Sequence, residues 1–109
     1  METVPTIEFL YWEDCPSHPE AWKLLQEVIA QEGLNVVAER IEVGTNEEAK
    51  ALRFPGSPTI RVNGTDVDPP GAARMGTALT CRVYILEDRR YSPVPSKAML
   101  RSALASATG

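Results

Sequence analysis

Cysteine, histidine and aromatic residues are scarce in this chain. Its 109 residues include 2 cysteines and 1 histidine, and 6% of them are aromatic. A secreted disulfide framework needs more cysteines than this. A tetrahedral zinc site would still lack a fourth ligand after both cysteines and the histidine had been used. We therefore expect neither a disulfide scaffold nor a metal site, and we expect no cofactor.

Clusters of basic residues and long apolar runs are also missing. The chain has 11 Lys and Arg against 15 Asp and Glu, a formal net charge of −4, and nucleic-acid surfaces depend on clustered Lys and Arg. No apolar run reaches the length of a membrane span, and residues 1–5 lack the basic segment of a signal peptide. These absences predict a cytoplasmic protein that binds neither nucleic acid nor membrane, and we expect a monomer or weak dimer.

The remaining composition is that of an ordinary globular domain, with 43% hydrophobic and 24% charged residues. At this length we expect residues 1–109 to form a single domain with its own core. Spacing of apolar residues, together with capping signals at Ser17, Thr45 and Ser96, divides the chain into elements. They predict strands over 6–12, 35–43, 59–62 and 81–86, helices over 16–33 and 45–52, and a final helix after Ser96.

This order predicts an α/β fold. Strands that alternate with helices indicate a mixed four-stranded sheet with helices on both faces, in the order β-α-β-α-β-β-α. The first β-α-β unit should be a right-handed crossover with parallel strands, and the closing strand should be antiparallel. Residues 65–79 show no clear period, so we interpret them as a lid, a binding loop or a mobile segment, and we expect Asp66 and Asp68 to be solvated loop residues rather than metal ligands.

Cys15 stands where the first strand gives way to the first helix. Backbone N–H groups at a helix start favour the thiolate, which is the reactive form of cysteine. Pro16 suits such a position, and His18 could add a positive charge or relay a proton. Glu13 and Asp14 oppose ionisation of the thiol. The alternative is that Cys15 is a small half-buried residue and His18 an exposed helix residue.

A second segment, Gly-Ser-Pro-Thr at 56–59, directly precedes a predicted strand. Together with the Cys-Pro junction and the order of elements, it makes the chain resemble the thioredoxin fold. The resemblance covers nearly the whole chain and implies that Cys15 is the nucleophile and Pro58 a cis-proline beside it. It also implies that Ser57 and Pro58 present an edge to which an extended substrate adds as a strand. Trp12 and Pro16 would line this site.

One difference from the thioredoxin pattern changes the expected chemistry. Oxidoreductases of that family usually carry Cys-x-x-Cys, whereas this chain has Cys15-Pro16-Ser17-His18. A mixed disulfide on Cys15 would therefore be resolved by Cys81, by an external thiol, or not at all. Cys81 opens a predicted strand and is alternatively a small buried hydrophobe. A disulfide requires the two Cα atoms to lie within roughly 7 Å.

The resulting hypothesis is a thiol–disulfide oxidoreductase or monothiol redox protein. Cys15 would attack, His18 would tune or protonate, and Cys81 would resolve. Its partners would be proteins or low-molecular-weight thiols and disulfides. The absence of Cys-x-x-Cys motivates the alternative, a non-catalytic protein that uses the same groove and the loop 65–79 to hold a peptide, a partner protein or a metal ion.

A narrower resemblance adds a third hypothesis. Small thioredoxin-like proteins with the segments YWEDCPSH, GSPTIRV and CRVY are similar to this chain, and some are labelled alkylmercury lyases. That label implies thiol ligation of soft mercury and protonolysis of a carbon–mercury bond. Cys15, Cys81 and Asp14 would have those roles only if the fold brings them together. The fold resemblance points to thiol exchange instead.

Overall fold

A computed structural model describes residues 4–108. Met1, Glu2 and Thr3, on which part of the signal-peptide argument rests, lie outside the described residues. No helix in the described part of the chain combines the length and apolar character that crossing a membrane requires. The elements are β1 Ile7–Tyr11, α1 His18–Gln31, β2 Glu39–Glu42, α2 Asn46–Ala51, β3 Thr59–Val62, β4 Thr65–Asp66, α3 Pro69–Arg74, β5 Tyr84–Ile85, β6 Tyr91–Ser92 and α4 Lys97–Thr108.

The centre of the fold is a mixed sheet with the strand order β2-β1-β3-β4. Strands β1 and β2 run parallel, whereas β3 is antiparallel to both β1 and β4. The expected α/β class, with a four-stranded mixed sheet and a parallel first unit, is therefore confirmed. The sheet places the end of β1 next to the start of β3, where Leu10 lies opposite Thr59.

Side chains of β1 alternate between two cores, one on each face of the sheet. Ile7 and Phe9 face the larger core, which helices α1 and α4 cover through Leu25 and Leu104, among other residues. Leu10 points the other way and packs in a smaller cluster with Val43, Ala49 and Phe54. Helices thus lie on both faces, and all of these side chains are buried.

The fourth strand of the sheet is not the predicted one. The segment 81–86 contributes only Tyr84–Ile85, which pairs with Tyr91–Ser92 in a separate ribbon. The fourth place in the sheet belongs to Thr65–Asp66, which follows the Asn63-Gly64 turn. A strand of two residues is too short to show any period in the sequence, so the pattern of apolar residues did not predict this strand. Helix α3 also lies in the region interpreted as a loop, so the order contains three additional elements, α3, β5 and β6.

The predicted strand over 35–43 is shorter in the structure. Pairing with β1 begins at Glu39, opposite Glu8, and residues before it have no strand partner in β1. Val37, which lies within the predicted strand, is consequently 91% exposed. The sequence pattern located the apolar residues correctly, but it could not show that the length of β1 limits how many residues of this segment pair with it.

Two of the three predicted caps are confirmed. The Thr45 hydroxyl accepts a hydrogen bond from the Glu48 N–H at 3.1 Å, and the Ser96 hydroxyl accepts one from the Met99 N–H at 3.0 Å. Ser17 occupies the N-cap of α1 but its side chain makes no capping bond. Its helical φ of −94° and ψ of −12° differ from the extended geometry in which a cap side chain reaches the first turn.

Candidate functional site

Cys15 is held in the turn between β1 and α1. Its backbone N–H donates to the Trp12 carbonyl at 3.0 Å, and the helix begins three residues later, at His18. The side chain points inward and is only 2% exposed. Its thiol donates to the Ser57 carbonyl oxygen at 3.3 Å. Cys15 thus lies before the N-cap of α1, and the contact that the structure gives its sulfur is with a carbonyl of another segment.

Ser57 connects the first turn to two other parts of the chain. Its hydroxyl accepts a hydrogen bond from the Trp12 N–H at 2.9 Å. Its backbone N–H donates to the Thr80 carbonyl at 2.8 Å, and its carbonyl accepts from the Arg82 N–H at 2.9 Å. The peptide bond between Ser57 and Pro58 is cis, the isomer that the resemblance implies. Ser57 therefore fixes Cys15 and the segment 80–82 relative to each other.

Cys81 forms an isolated parallel bridge with Ser57. It is exposed, so the interpretation of Cys81 as a buried small hydrophobe is wrong. Partial removal from water, and next the charge and hydrogen bonding of the neighbouring Cys15 thiol, raise the pKa of the Cys81 thiol. The two cysteines, 66 positions apart in the sequence, therefore lie close enough to interact, and both are free thiols.

His18 is buried at 7% exposure, contrary to its interpretation as an exposed residue. Its ring lies 4.9 Å from that of Tyr11, and its Nε2 is 4.0 Å from a carboxylate oxygen of Glu13. Within residues 4–108, its Nδ1 has no hydrogen-bond partner. A role of His18 in tuning Cys15 stays a prediction.

Trp12 and Pro16 flank the cysteine on either side. Trp12 is half-buried against the smaller core, and its backbone binds both Cys15 and Ser57. Pro16 is exposed. Asp14, required by the mercury hypothesis, is exposed in the same turn. Across the described residues, no group of three or more His, Cys, Asp or Glu side chains is arranged to hold a metal ion.

The sequence pattern missed Arg82, the residue that anchors residues 80–82 (the Cys81 segment). Arg82 is 1% exposed, and its guanidinium donates to both carboxylate oxygens of Asp66 at 2.6 Å. It also donates to the Thr59 hydroxyl at 3.2 Å and lies 4.0 Å from the centroid of the Tyr84 ring. Burial is the largest single influence and opposes the charge on Arg82, but the hydrogen bonds to Asp66 and the charges of Tyr84, Asp66 and Asp68 together outweigh it, so the pKa of Arg82 is raised. An arginine inside an apolar run, with acids nearby in sequence, was the available signal.

Arg82 and its neighbours lock the Cys81 segment against the start of β3. The Tyr84 hydroxyl donates to the Pro58 carbonyl at 2.6 Å, and the Ile85 N–H donates to the Asp68 carboxylate at 3.0 Å. Asp66 and Asp68, which the sequence suggested were part of a solvated loop, are thus structural partners of residues 82 and 85. The position of Cys81 follows from these contacts.

Comparison of the chain with protein-family models, with curated proteins and with solved structures gives no match.

Proposed function

We propose that the chain is a thioredoxin-like thiol–disulfide oxidoreductase whose redox couple consists of Cys15 and Cys81. The observation that carries the proposal is the shared attachment of both cysteines to Ser57. The Ser57 carbonyl accepts the Cys15 thiol at 3.3 Å, and the same residue bridges to Cys81. Two free thiols held on one residue can convert to a disulfide with little rearrangement of the chain.

The order of elements supports the thioredoxin-like part of the proposal. Without α3, β5 and β6, the chain reads β1-α1-β2-α2-β3-β4-α4, which is the order expected from the resemblance. Cys15 precedes α1, and the cis Ser57–Pro58 bond precedes β3. The three additional elements lie between β4 and α4, in the part of the chain that contains Cys81.

Cys81 would supply the thiol that the absent Cys-x-x-Cys motif would otherwise provide. Oxidation of the two thiols to a disulfide removes two electrons and two protons from the pair. An external disulfide would accept those electrons, and an external thiol or dithiol would return them. The chain thereby cycles between a dithiol and one intramolecular disulfide.

A redox titration in glutathione buffers tests the proposal. The protein is equilibrated at a series of ratios of reduced to oxidised glutathione, quenched with acid, and mapped by mass spectrometry of its peptides. We expect a two-electron transition in which the peptides that contain Cys15 and Cys81 become joined. Cys15→Ser and Cys81→Ser must each abolish that cross-link while circular dichroism shows that both variants are folded.

Two outcomes would remove the proposal. The first is a wild-type chain whose cysteines stay reduced across the whole buffer series. The second is a chain that forms only mixed disulfides with glutathione and never the cross-link, which is the behaviour of a monothiol protein. A chain that stays reduced and still binds partners through this face would be the non-catalytic protein of the alternative hypothesis.

A further inference from the structure

The backbone of Ser57 has no vacant hydrogen-bonding group for an incoming peptide. Its N–H donates to Thr80, and its carbonyl accepts both the Arg82 N–H and the Cys15 thiol. A carbonyl oxygen has two lone pairs, so these two donors satisfy it. Strand addition depends on free backbone groups at an edge. At Ser57 the chain's own segment 80–82 already occupies the place of a substrate strand.

That segment is not free to leave. Releasing it would break the bidentate contact of Arg82 with Asp66 and would leave a buried guanidinium without its counter-charge. It would also separate the Arg82 guanidinium from the Tyr84 ring. The backbone hydrogen bonds of Thr80 and Arg82 with Ser57 would break as well. The segment also packs closely against Gly56, since a Cβ at that position would lie 3.0 Å from the Arg82 backbone.

Access to the two sulfurs is opposite to that expected from the sequence. Cys15, the predicted attacking residue, is 2% exposed and its thiol faces a carbonyl. Cys81, the predicted resolving residue, is exposed to solvent. Thiol–disulfide exchange requires an in-line approach of one sulfur to another, so the accessible sulfur reacts first with an external partner.

We propose that Cys81 is the sulfur that exchanges with external substrate, that Cys15 resolves, and that the substrates are low-molecular-weight disulfides rather than extended peptides. This inference rests on the proposed Cys15–Cys81 couple. A compact disulfide needs only the exposed Cys81 sulfur, whereas an extended peptide would have to displace the segment 80–82 from Ser57.

The exchange proceeds in two steps. The Cys81 thiol loses its proton to water, and its thiolate attacks one sulfur of a disulfide RSSR; the S–S bond of RSSR breaks, the mixed disulfide Cys81–S–SR forms, and the released RS⁻ takes up a proton from water. Cys15 then loses its proton and its thiolate attacks the Cys81 sulfur; the mixed disulfide breaks, and the second RS⁻ leaves and takes up that proton. One external disulfide is reduced to two thiols, and two protein thiols become one disulfide. Two molecules of a low-molecular-weight thiol restore the reduced protein by the reverse steps.

Rates of mixed-disulfide formation with oxidised glutathione test the order of attack. Cys15→Ser retains Cys81, and we expect it to form the glutathione adduct at least about tenfold faster than Cys81→Ser does. Limiting iodoacetamide on the reduced wild-type protein gives an independent measurement that needs no substitution. We expect peptide mapping to find carbamidomethylation at Cys81 before Cys15.

Equal or faster reaction of Cys15 in both measurements overturns the order of attack. For the substrate class, the probe is insulin, whose disulfides lie within polypeptide chains. We expect insulin to be reduced at least about tenfold more slowly per disulfide than oxidised glutathione, and equal rates overturn the low-molecular-weight class. If the wild-type protein never forms the Cys15–Cys81 cross-link while Cys81 still reacts first, the proposed function fails and the order of attack stands.

Discussion

The guanidinium of Arg82 binds both carboxylate oxygens of Asp66, with Nη1 2.6 Å from Oδ2 and Nη2 2.6 Å from Oδ1. Arg82 is the residue immediately after Cys81, and Asp66 lies in β4 of the central sheet. The ion pair therefore ties the segment that carries the exposed thiol to the sheet that positions Ser57 and Cys15.

Asp66→Asn should destabilise the protein strongly. The substitution retains the side-chain shape but leaves the Arg82 charge buried and uncompensated, which costs about 3–5 kcal/mol. Urea unfolding of the reduced protein measures the change. The double substitution Asp66→Asn, Arg82→Met should restore part of the loss because it removes the orphaned charge. Asp88→Asn is the matched control, since it breaks an exposed pair with Arg90 and should leave the unfolding midpoint unchanged.

A single Asp66→Asn variant that is as stable as the Asp88→Asn control would contradict this prediction. Where the variant folds, the cross-link between Cys15 and Cys81 should also form at a higher ratio of oxidised to reduced glutathione than in wild type. The physical reason is that a less well-anchored Cys81 spends less time beside Cys15, which lowers the effective concentration of one thiol at the other.

Gly56→Ala should also weaken the attachment of the Cys81 segment. Gly56 has a φ of +121°, and a Cβ there would lie 3.0 Å from the Arg82 Cα. Backbone strain of this kind costs about 1–3 kcal/mol, and the contact would push the segment 80–82 away from Ser57. Gly76→Ala is the control, because it has no neighbouring atom within 4 Å of a new Cβ. Equal unfolding midpoints for the two variants in urea would contradict the prediction.

The parts of the fold that the sequence predicts well are those with long, regular patterns. The helix over 16–33 has apolar residues at helical spacing and a glycine at its end, and the strand over 6–12 is a nearly continuous apolar run. Both correspond to elements of the structure, α1 and β1, within two residues at each end. The Thr45 and Ser96 caps depend only on neighbouring residues, which explains why local sequence was sufficient.

The parts that sequence could not supply depend on partners distant in the chain. Strand β4 has two residues, so it carries no period, and it exists because β3 offers it an edge. Arg82 is buried because Asp66, 16 residues earlier, neutralises it. The proximity of Cys81 to Cys15 is a consequence of those contacts. Neither residue's own neighbours in the sequence contain that information.

The acid–base behaviour of Cys81 gives a prediction with a definite sign. Partial burial and the neighbouring Cys15 raise the pKa of Cys81 in the folded protein. The unfolded chain therefore ionises first, so the contribution of Cys81 to the free energy of unfolding is complete below about pH 8.5 and decreases as the pH rises towards the folded pKa. In Cys15→Ser the decrease should be smaller, because the interaction with the Cys15 thiol is absent.

Two measurements check this behaviour. Urea unfolding of the reduced protein at about pH 7 and about pH 10 gives the loss of stability for wild type and for Cys15→Ser. The rate of Cys81 alkylation by iodoacetamide against pH gives the midpoint directly, which should be higher in wild type than in Cys15→Ser. Burial raises the pKa of Tyr84, so its phenol stays protonated through the range in which thiols titrate. Identical alkylation midpoints in the two proteins would contradict the interaction.

Tyr84→Phe separates the hydrogen bond of Tyr84 from its stacking. The hydroxyl donates to the Pro58 carbonyl at 2.6 Å, whereas the ring stacks on Arg82, and phenylalanine retains only the ring. Loss of the donor leaves the Pro58 carbonyl unpaired in a buried position, which costs about 1–3 kcal/mol in urea unfolding. Tyr84→Leu should cost more, because it also removes the ring beneath the Arg82 guanidinium.

If Tyr84 acts through both contacts, protection of Cys15 against iodoacetamide should fall in the same order, from wild type through Tyr84→Phe to Tyr84→Leu. A Tyr84→Leu variant with the stability and Cys15 protection of wild type would show that Tyr84 does not anchor the Cys81 segment.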